Sequence, residues 1–228
     1  QVLREDLAKV AGADISDAAL RSSIAVYNEN RRAVRELYAY RVREPWQAPT
    51  AEVYLVLRAG MVLPVEEHTQ LVREYLAATA AKPRPKRDNA RVALTGAFCE
   101  QPPLALIKSI EMAGCYIVDD DFMLVLRWLL DDVPESGDPL ANLVQSFLHR
   151  SVSTASKYEA RREDKGKYLV QQVRDTAAEG VIFAAPSFCD PALLDRPMLL
   201  DVLAKHGIPC TAFKYAENTG QMAPIREQ

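Results

Sequence analysis

Several features that mark particular functional classes are missing from these 228 residues or scarce in them. There are three histidines and four cysteines. The cysteines, at 99, 115, 189 and 210, lack the density and close spacing of a disulfide scaffold and read as reduced thiols of a cytoplasmic protein. No Cys-x-x-Cys pair and no His-Glu-x-x-His helix occurs, which leaves a zinc site without support. Gly-x-x-x-x-Gly-Lys-Ser/Thr is absent, and no Gly-x-Gly-x-x-Gly follows a strand, so the chain has no nucleotide cradle of its own. Positive charge is not in excess; the formal net charge is -3, whereas a nucleic-acid partner ordinarily calls for a basic face. No apolar run approaches the roughly 18 residues of a membrane span, and no charged-then-apolar leader opens the chain. Neither nucleic acid nor membrane is an expected partner. The sequence starts at Gln1 and stops at Gln228 within a segment that reads as unfinished, so a portion of a longer polypeptide is expected.

What is present is an ordinary globular composition, 49% hydrophobic and 26% charged. Residues 1–81 read as a helical segment. Ser16 and Asp17 supply an N-cap and an early acid, and Leu20, Ile24, Tyr27, Val34 and Leu37 recur at helical spacing as far as about Arg41. Thr50 with Glu52 is expected to cap a helix over Val53 to Val62, and Pro64 to open another whose stripe is Leu71, Val72, Tyr75 and Leu76. Residues 82–89, Lys82-Pro-Arg-Pro-Lys-Arg-Asp-Asn89, form a linker of proline and charge; its basic side chains read as a solvated connector rather than a phosphate site.

The period then changes, and residues 90–228 read as an α/β domain. Strands are expected at 91–95, 115–118, 181–185 and 208–213, alternating with helices. Asp121 is expected to cap a helix through Leu130, Asp138-Pro139 to open one at Leu140, and Pro197 to start one ending at Gly207. The fold class predicted is therefore an N-terminal helical segment followed by a Rossmann-like, flavodoxin-like parallel sheet of about four strands with helices on both faces.

The informative stretch is Gly180-Val-Ile-Phe-Ala-Ala-Pro-Ser-Phe-Cys-Asp-Pro191. An apolar run between a glycine and a proline reads as a strand buried on both faces, and Cys189 follows it in a turn closed by Asp190-Pro191. Ligands of open α/β sheets bind outside the carboxyl ends of the strands, so a thiol there is placed for chemistry. Thiolates, not thiols, ligate metal, and turn N–H groups favour the thiolate. On spacing alone, however, a lone turn cysteine is ordinarily structural, and one cysteine cannot hold a cluster. Cys99 lies in another post-strand loop and can approach Cys189 if the two strands are neighbours. Cys115 and Cys210 read as small core residues. Asp119, Asp120 and Asp121 read as a polar strand end and helix cap, and His68, His149 and His206 as packing or surface residues.

That stretch, together with Gly207-Ile-Pro209, Tyr215-Ala-Glu-Asn-Thr-Gly-Gln221 and Ile225-Arg226, resembles the C-terminal domain of the 2-hydroxyacyl-CoA dehydratase and benzoyl-CoA reductase family. The likeness is closer on the benzoyl-CoA reductase side, to its C (gamma) subunits. It extends over Ile24-Ala-Val-Tyr-Asn-Glu-Asn-Arg31, Arg58-Ala-Gly-Met-Val-Leu-Pro-Val-Glu-Glu-His68, Gly96-Ala-Phe-Cys-Glu-Gln-Pro-Pro103 and Gly114-Cys-Tyr-Ile-Val-Asp-Asp-Asp121, and so over essentially the whole chain.

The resemblance implies a [4Fe–4S] subunit that pairs with a homologous cluster-bearing subunit as a pseudo-symmetric heterodimer. An ATP-hydrolysing activator delivers low-potential electrons, and an aromatic acyl-CoA is reduced to a cyclic dienoyl-CoA. It carries one cluster ligand onto this sequence, Cys189; the others lie in an N-terminal α/β domain absent here, so the portion alone is expected to be inactive and to hold an incomplete cluster or none. Phe183, Phe188 and the prolines are expected to wall a dry cleft, and Ser187, Asn218 and Gln221 to donate hydrogen bonds to the thioester. The alternatives are a 2-hydroxyacyl-CoA dehydratase subunit, which eliminates water through a radical, and a metal-free flavodoxin-like interaction module.

Overall fold

A computed structural model of the chain describes residues 1–96, 102–153 and 162–216, with the side chains of 162–164 excepted. Four helices come first: α1 (Val2–Ala11), α2 (Asp17–Arg43), α3 (Thr50–Ala59) and α4 (Val65–Ala81). Then follow β1 (Ala90–Thr95), α5 (Leu104–Met112), β2 (Cys115–Asp120), a 3-10 turn at Leu124–Arg127, α6 (Pro139–His149), α7 (Arg162–Asp175), β3 (Gly180–Pro186), α8 (Asp190–Lys205) and β4 (Cys210–Tyr215). Between α4 and β1, residues 83–89 have no regular structure.

The four strands form one parallel sheet in the order β2-β1-β3-β4. Successive strand residues point to opposite faces, and the burial follows that period of two. Val92 and Leu94 of β1, with Ile182 and Ala184 of β3, join one apolar layer with Leu37 of α2, Val53 and Leu57 of α3, Val72 of α4, and Leu106 and Ile107 of α5. Ala93, Val181, Phe183 and Ala185 join the other, with Leu169 and Val173 of α7 and Leu199 and Leu203 of α8. Helices thus cover both faces, as the apolar strand runs predicted. The chain adds β2 on one side of β1 and β3 on the other, so the direction of winding reverses between β1 and β3, the position where such sheets bind ligands.

Several local expectations are corrected. Thr50 is the first residue of α3 rather than its cap; Pro49 is the N-cap, and the Thr50 N–H is taken by the Glu111 carboxylate at 2.6 Å. Asp121 caps no α-helix, because the chain makes only the short 3-10 turn before Trp128. Asp190 and Pro191 do not close a turn. They open α8, with Pro191 in its first turn where a missing N–H costs nothing, and Pro197 sits inside that helix rather than at its start. Ser16 does cap α2, accepting from the Ala19 N–H, and Asp138 caps α6, accepting from the N–H groups of Leu140 and Ala141.

Candidate functional site

The site grows out of the end of β3. The Pro186 carbonyl accepts a hydrogen bond from the Cys189 N–H at 3.0 Å, turning the chain through Ser187 and Phe188. Cys189 is thereby the N-cap residue of the 16-residue helix α8. A helix N-terminus carries unsatisfied N–H groups and a positive dipole end, which favours the thiolate. The side chain is only 3% exposed and belongs to the apolar layer that includes Phe183, Ala185, Ala192 and Leu199. Its place at the carboxyl rim beside the switch point is as expected; its enclosure in hydrocarbon is not legible in the sequence.

Of the residues grouped around it, Ser187 stands next to the turn. Its backbone N–H and its hydroxyl both donate to the Tyr215 carbonyl, at 2.8 and 2.9 Å, tying the turn to the end of β4. The hydroxyl proton is therefore committed to the backbone. Phe183 and Phe188 do not wall a common cleft: Phe183 is 1% exposed in the core, and Phe188 is 91% exposed. They are five residues apart, but a tight turn separates them and sends their rings different ways. Asn218, Gln221 and Cys99 lie outside the described residues. The strands that precede Cys99 and Cys189 are indeed neighbours. Among the described residues no group of three or more His, Cys, Asp or Glu side chains is arranged to hold a metal.

The acid run at the end of β2, expected to be a polar strand end and helix cap, is instead buried and paired, which sequence reasoning missed. Asp119, Asp120 and Asp121 are all buried, at 4%, 2% and 4% exposure. Asp119 accepts from Arg127 at 2.7 Å and from Gln172 of α7 at 2.6 Å. Burial opposes its ionisation, but Arg127, Arg41 and these hydrogen bonds outweigh that and hold its carboxyl below the usual range. Asp120 lies 2.6 Å from the Arg41 guanidinium and accepts from the Tyr38 hydroxyl at 3.1 Å. Arg127 stacks on the Tyr38 ring, 3.6 Å from its centroid. Asp121 accepts through Oδ2 from the Thr95 hydroxyl at 2.7 Å and the Gly96 N–H at 3.2 Å, while its Oδ1 is buried without a partner. Burial pushes its carboxyl up to about 7. The available signal was three acids closing an apolar strand: buried acids need cations or must give up their charge; Asp119 and Asp120 find Arg127 and Arg41, and Asp121 is instead pushed toward its neutral form.

The whole chain, residues 1–228, matches the profile of the family described as 2-hydroxyglutaryl-CoA dehydratase, D-component. It is 62% identical over 226 residues to the benzoyl-CoA reductase C subunit of Thauera aromatica, covering 99% of this chain and 58% of that protein. It is 29% identical over 206 residues to the (R)-phenyllactyl-CoA dehydratase beta subunit of Clostridium sporogenes, covering 90% and 54%. It is 27% identical over 205 residues to the (R)-2-hydroxyglutaryl-CoA dehydratase beta subunit of Acidaminococcus fermentans, covering 89% and 54%. The chain thus spans little more than half the length of these relatives.

Proposed function

Because the chain belongs to the 2-hydroxyglutaryl-CoA dehydratase D-component family, we propose that it is part of an iron–sulfur subunit of a benzoyl-CoA reductase. The carrying observation is the identity of 62% over nearly the whole chain, against 27 to 29% for the dehydratase subunits. That gap favours ring reduction over removal of water from a 2-hydroxyacyl-CoA. The substrate on this reading is an aromatic acyl-CoA. The partners are a homologous subunit and an ATP-hydrolysing activator, and the chain works in the cytoplasm. Among the described residues, no helix is long and apolar enough to cross a membrane.

The residues present fit the cofactor as one ligand among several. A cubane cluster takes several cysteine thiolates; Cys189 offers one, and no described cluster of metal-ligating side chains supplies the rest. Cys189 stands at a helix N-terminus, whose N–H groups and dipole suit an anionic sulfur, while its enclosure in hydrocarbon opposes a bare thiolate, so a metal is what would complete the ionisation. Its apolar surroundings are those of a centre kept from water, one of the levers that set a cluster's potential. When bound, the cluster supplies low-potential electrons. This chain's own part is to present the sulfur at the switch point, exclude water around it and fix the turn through Ser187 and Tyr215. Ser187, Asn218 and Gln221 remain the proposed thioester donors; for Ser187 that role requires its hydroxyl to leave the Tyr215 carbonyl.

The test is iron and sulfide analysis of the anaerobically purified full-length subunit, with Cys189→Ser beside it. The variant is expected to lose iron and ring-reducing activity in the assembled complex. Iron unchanged per protomer in the variant overturns the ligand role, and no iron in the parent protein overturns the enzyme reading in favour of a metal-free module. Supplying benzoyl-CoA or a 2-hydroxyacyl-CoA to the complex and identifying the product separates reductase from dehydratase.

A further inference from the structure

The two faces of the sheet are not covered alike. Right-handed crossovers fix where the connecting helices lie. The helix α5, which joins β1 to β2, packs on one face; α7 and α8, which lead the chain back past β1 to β3 and on to β4, pack on the other. The helices α2 to α4 share the α5 face. Together they leave that face incomplete at the amino end of the strands. Val92, Ile182 and Phe213 are 7, 7 and 8% exposed, whereas Leu94, Ala184 and Tyr215, two residues further along the same strands and on the same face, are 1% exposed or less. A hollow of about 500 Å³ opens there, lined among others by Val92, Ile110, Cys115, Ile182, Thr211 and Phe213. Thr211 is only half-buried.

Parallel sheets are ordinarily buried on both faces, so an apolar hollow on one of them calls for a covering element. Topology says where that element comes from. A helix leading from β4 to a further strand would join α7 and α8 on the opposite face. The missing cover is therefore a segment that ends the sheet rather than extending it. The segment that enters at Gln1 arrives at the wrong edge: Arg21 and Asn28 of α2 donate to the carbonyls of Gly137 and Val133, in the stretch after β2, and β2 is the edge strand opposite β4. The chain that leaves β4, by contrast, leaves the strand that borders the hollow. The six residues of β4 rise about 20 Å, a length that a helix of about 13 residues running back along them would match. Residues 217–228 include Gly220 and Pro224, both poor helix formers, so the helix is drawn from beyond Gln228. Polypeptide of that kind exists in the family: the part matched by this chain is 58% of the Thauera aromatica subunit.

We infer that this hollow seats an amphipathic helix of the same polypeptide, supplied by the portion that follows Gln228, with its apolar side on Ile182, Thr211 and Phe213. The inference rests on the sheet and not on the iron–sulfur reading.

A short photoactivatable diazirine side chain in place of Thr211 in the full-length protein, followed by peptide mapping, identifies the occupant. The expected cross-link is to a peptide on the carboxyl side of Gln228. A cross-link to the portion preceding Gln1, a cross-link to another subunit, or no cross-linked peptide would each overturn the proposal. Thr211→Trp in the full-length protein gives an independent reading. Against a seated helix the indole overpacks, and the thermal midpoint is expected to fall by roughly 3 °C or more. In an open hollow the same indole covers apolar wall, so an unchanged or raised midpoint also overturns the proposal. The cross-link is read on near-native protein and decides the matter if the tryptophan variant fails to fold. Neither readout uses iron or activity, so failure here and failure of the iron–sulfur reading are told apart.

Discussion

Gly96 passes so close to Ala184 that a β-carbon on it would fall 1.9 Å from the Ala184 carbonyl oxygen. The residue following β1 is therefore pressed over β3, across the switch point of the sheet and toward the turn that carries Cys189. Its φ of 157° adds to the demand for glycine. The obstacle is backbone within the sheet and cannot swing aside. Gly96→Ala is expected to destabilise the fold by roughly 2 kcal/mol or more, at the upper end of overpacking effects. Thermal denaturation beside Gly137→Ala, where a β-carbon meets nothing within 4 Å, checks it. An equal loss at both positions would mean that the glycine conformation, and not the contact, decides.

The Arg41–Asp120 pair, buried at 0% and 2% side-chain exposure, joins α2 to the end of β2. Removing one member of such a pair leaves an uncompensated charge and costs about 3 to 5 kcal/mol. Arg41→Met is expected to fall in that range. Arg41→Met with Asp120→Asn removes both charges, and the double variant is expected to recover a substantial part of the loss. Urea unfolding of the single and double variants gives the coupling; simple additivity would show that the two charges do not depend on each other.

Asp121 gives a pH signature with a definite sign. Burial raises its carboxyl from 3.8 to about 7 in the folded state, so folding favours the protonated form. That contribution is fully present below about pH 4 and is lost as pH rises through 7, on the order of 4 kcal/mol in all. Asp121→Asn removes the titration while keeping an acceptor for Thr95 and Gly96. Stability measured from pH 4 to 8 should therefore fall for the parent relative to the variant. Asp119, held below its usual range chiefly by Arg127 against the opposing effect of burial, titrates in the opposite sense: its contribution is lost below about pH 4. A constant difference between parent and Asp121→Asn across the range would show that Asp121 is ionised throughout.

The layered fold was legible because apolar runs too short for helices and bounded by glycine, proline or acids read as buried strands, and their alternation assigns each residue to a face. The position of Cys189 after the third strand followed from the same reading. What was hidden depends on partners distant in sequence or on one ambiguous proline. Asp120 finds Arg41 and Tyr38 on α2, about eighty residues away, and nothing local announces the pair. Pro197 looked like a helix start because proline suits a first turn, but Asp190-Pro191 had already provided one. Phe188 looked like a cleft wall because it is aromatic and next to the thiol; a tight turn points it into solvent instead.

Cys210 separates a ligand from a bystander. It opens β4, while the turn carrying Cys189 is tied to the far end of that strand through the Tyr215 carbonyl. Five steps along a strand cover about 17 Å, so Cys210 and Cys189 cannot share a cluster a few ångströms across. Burial pushes the Cys210 thiol up, as it does Cys115, and both should react slowly with alkylating reagents at neutral pH. Cys210→Ala in the full-length protein is therefore expected to leave iron per protomer unchanged and to cost no more than about 1 kcal/mol of stability, since the side chain is only half-buried. Iron lost from Cys210→Ala but kept in Cys189→Ser would move the metal to the amino end of the sheet, and the carboxyl rim would then have no claim to the redox chemistry.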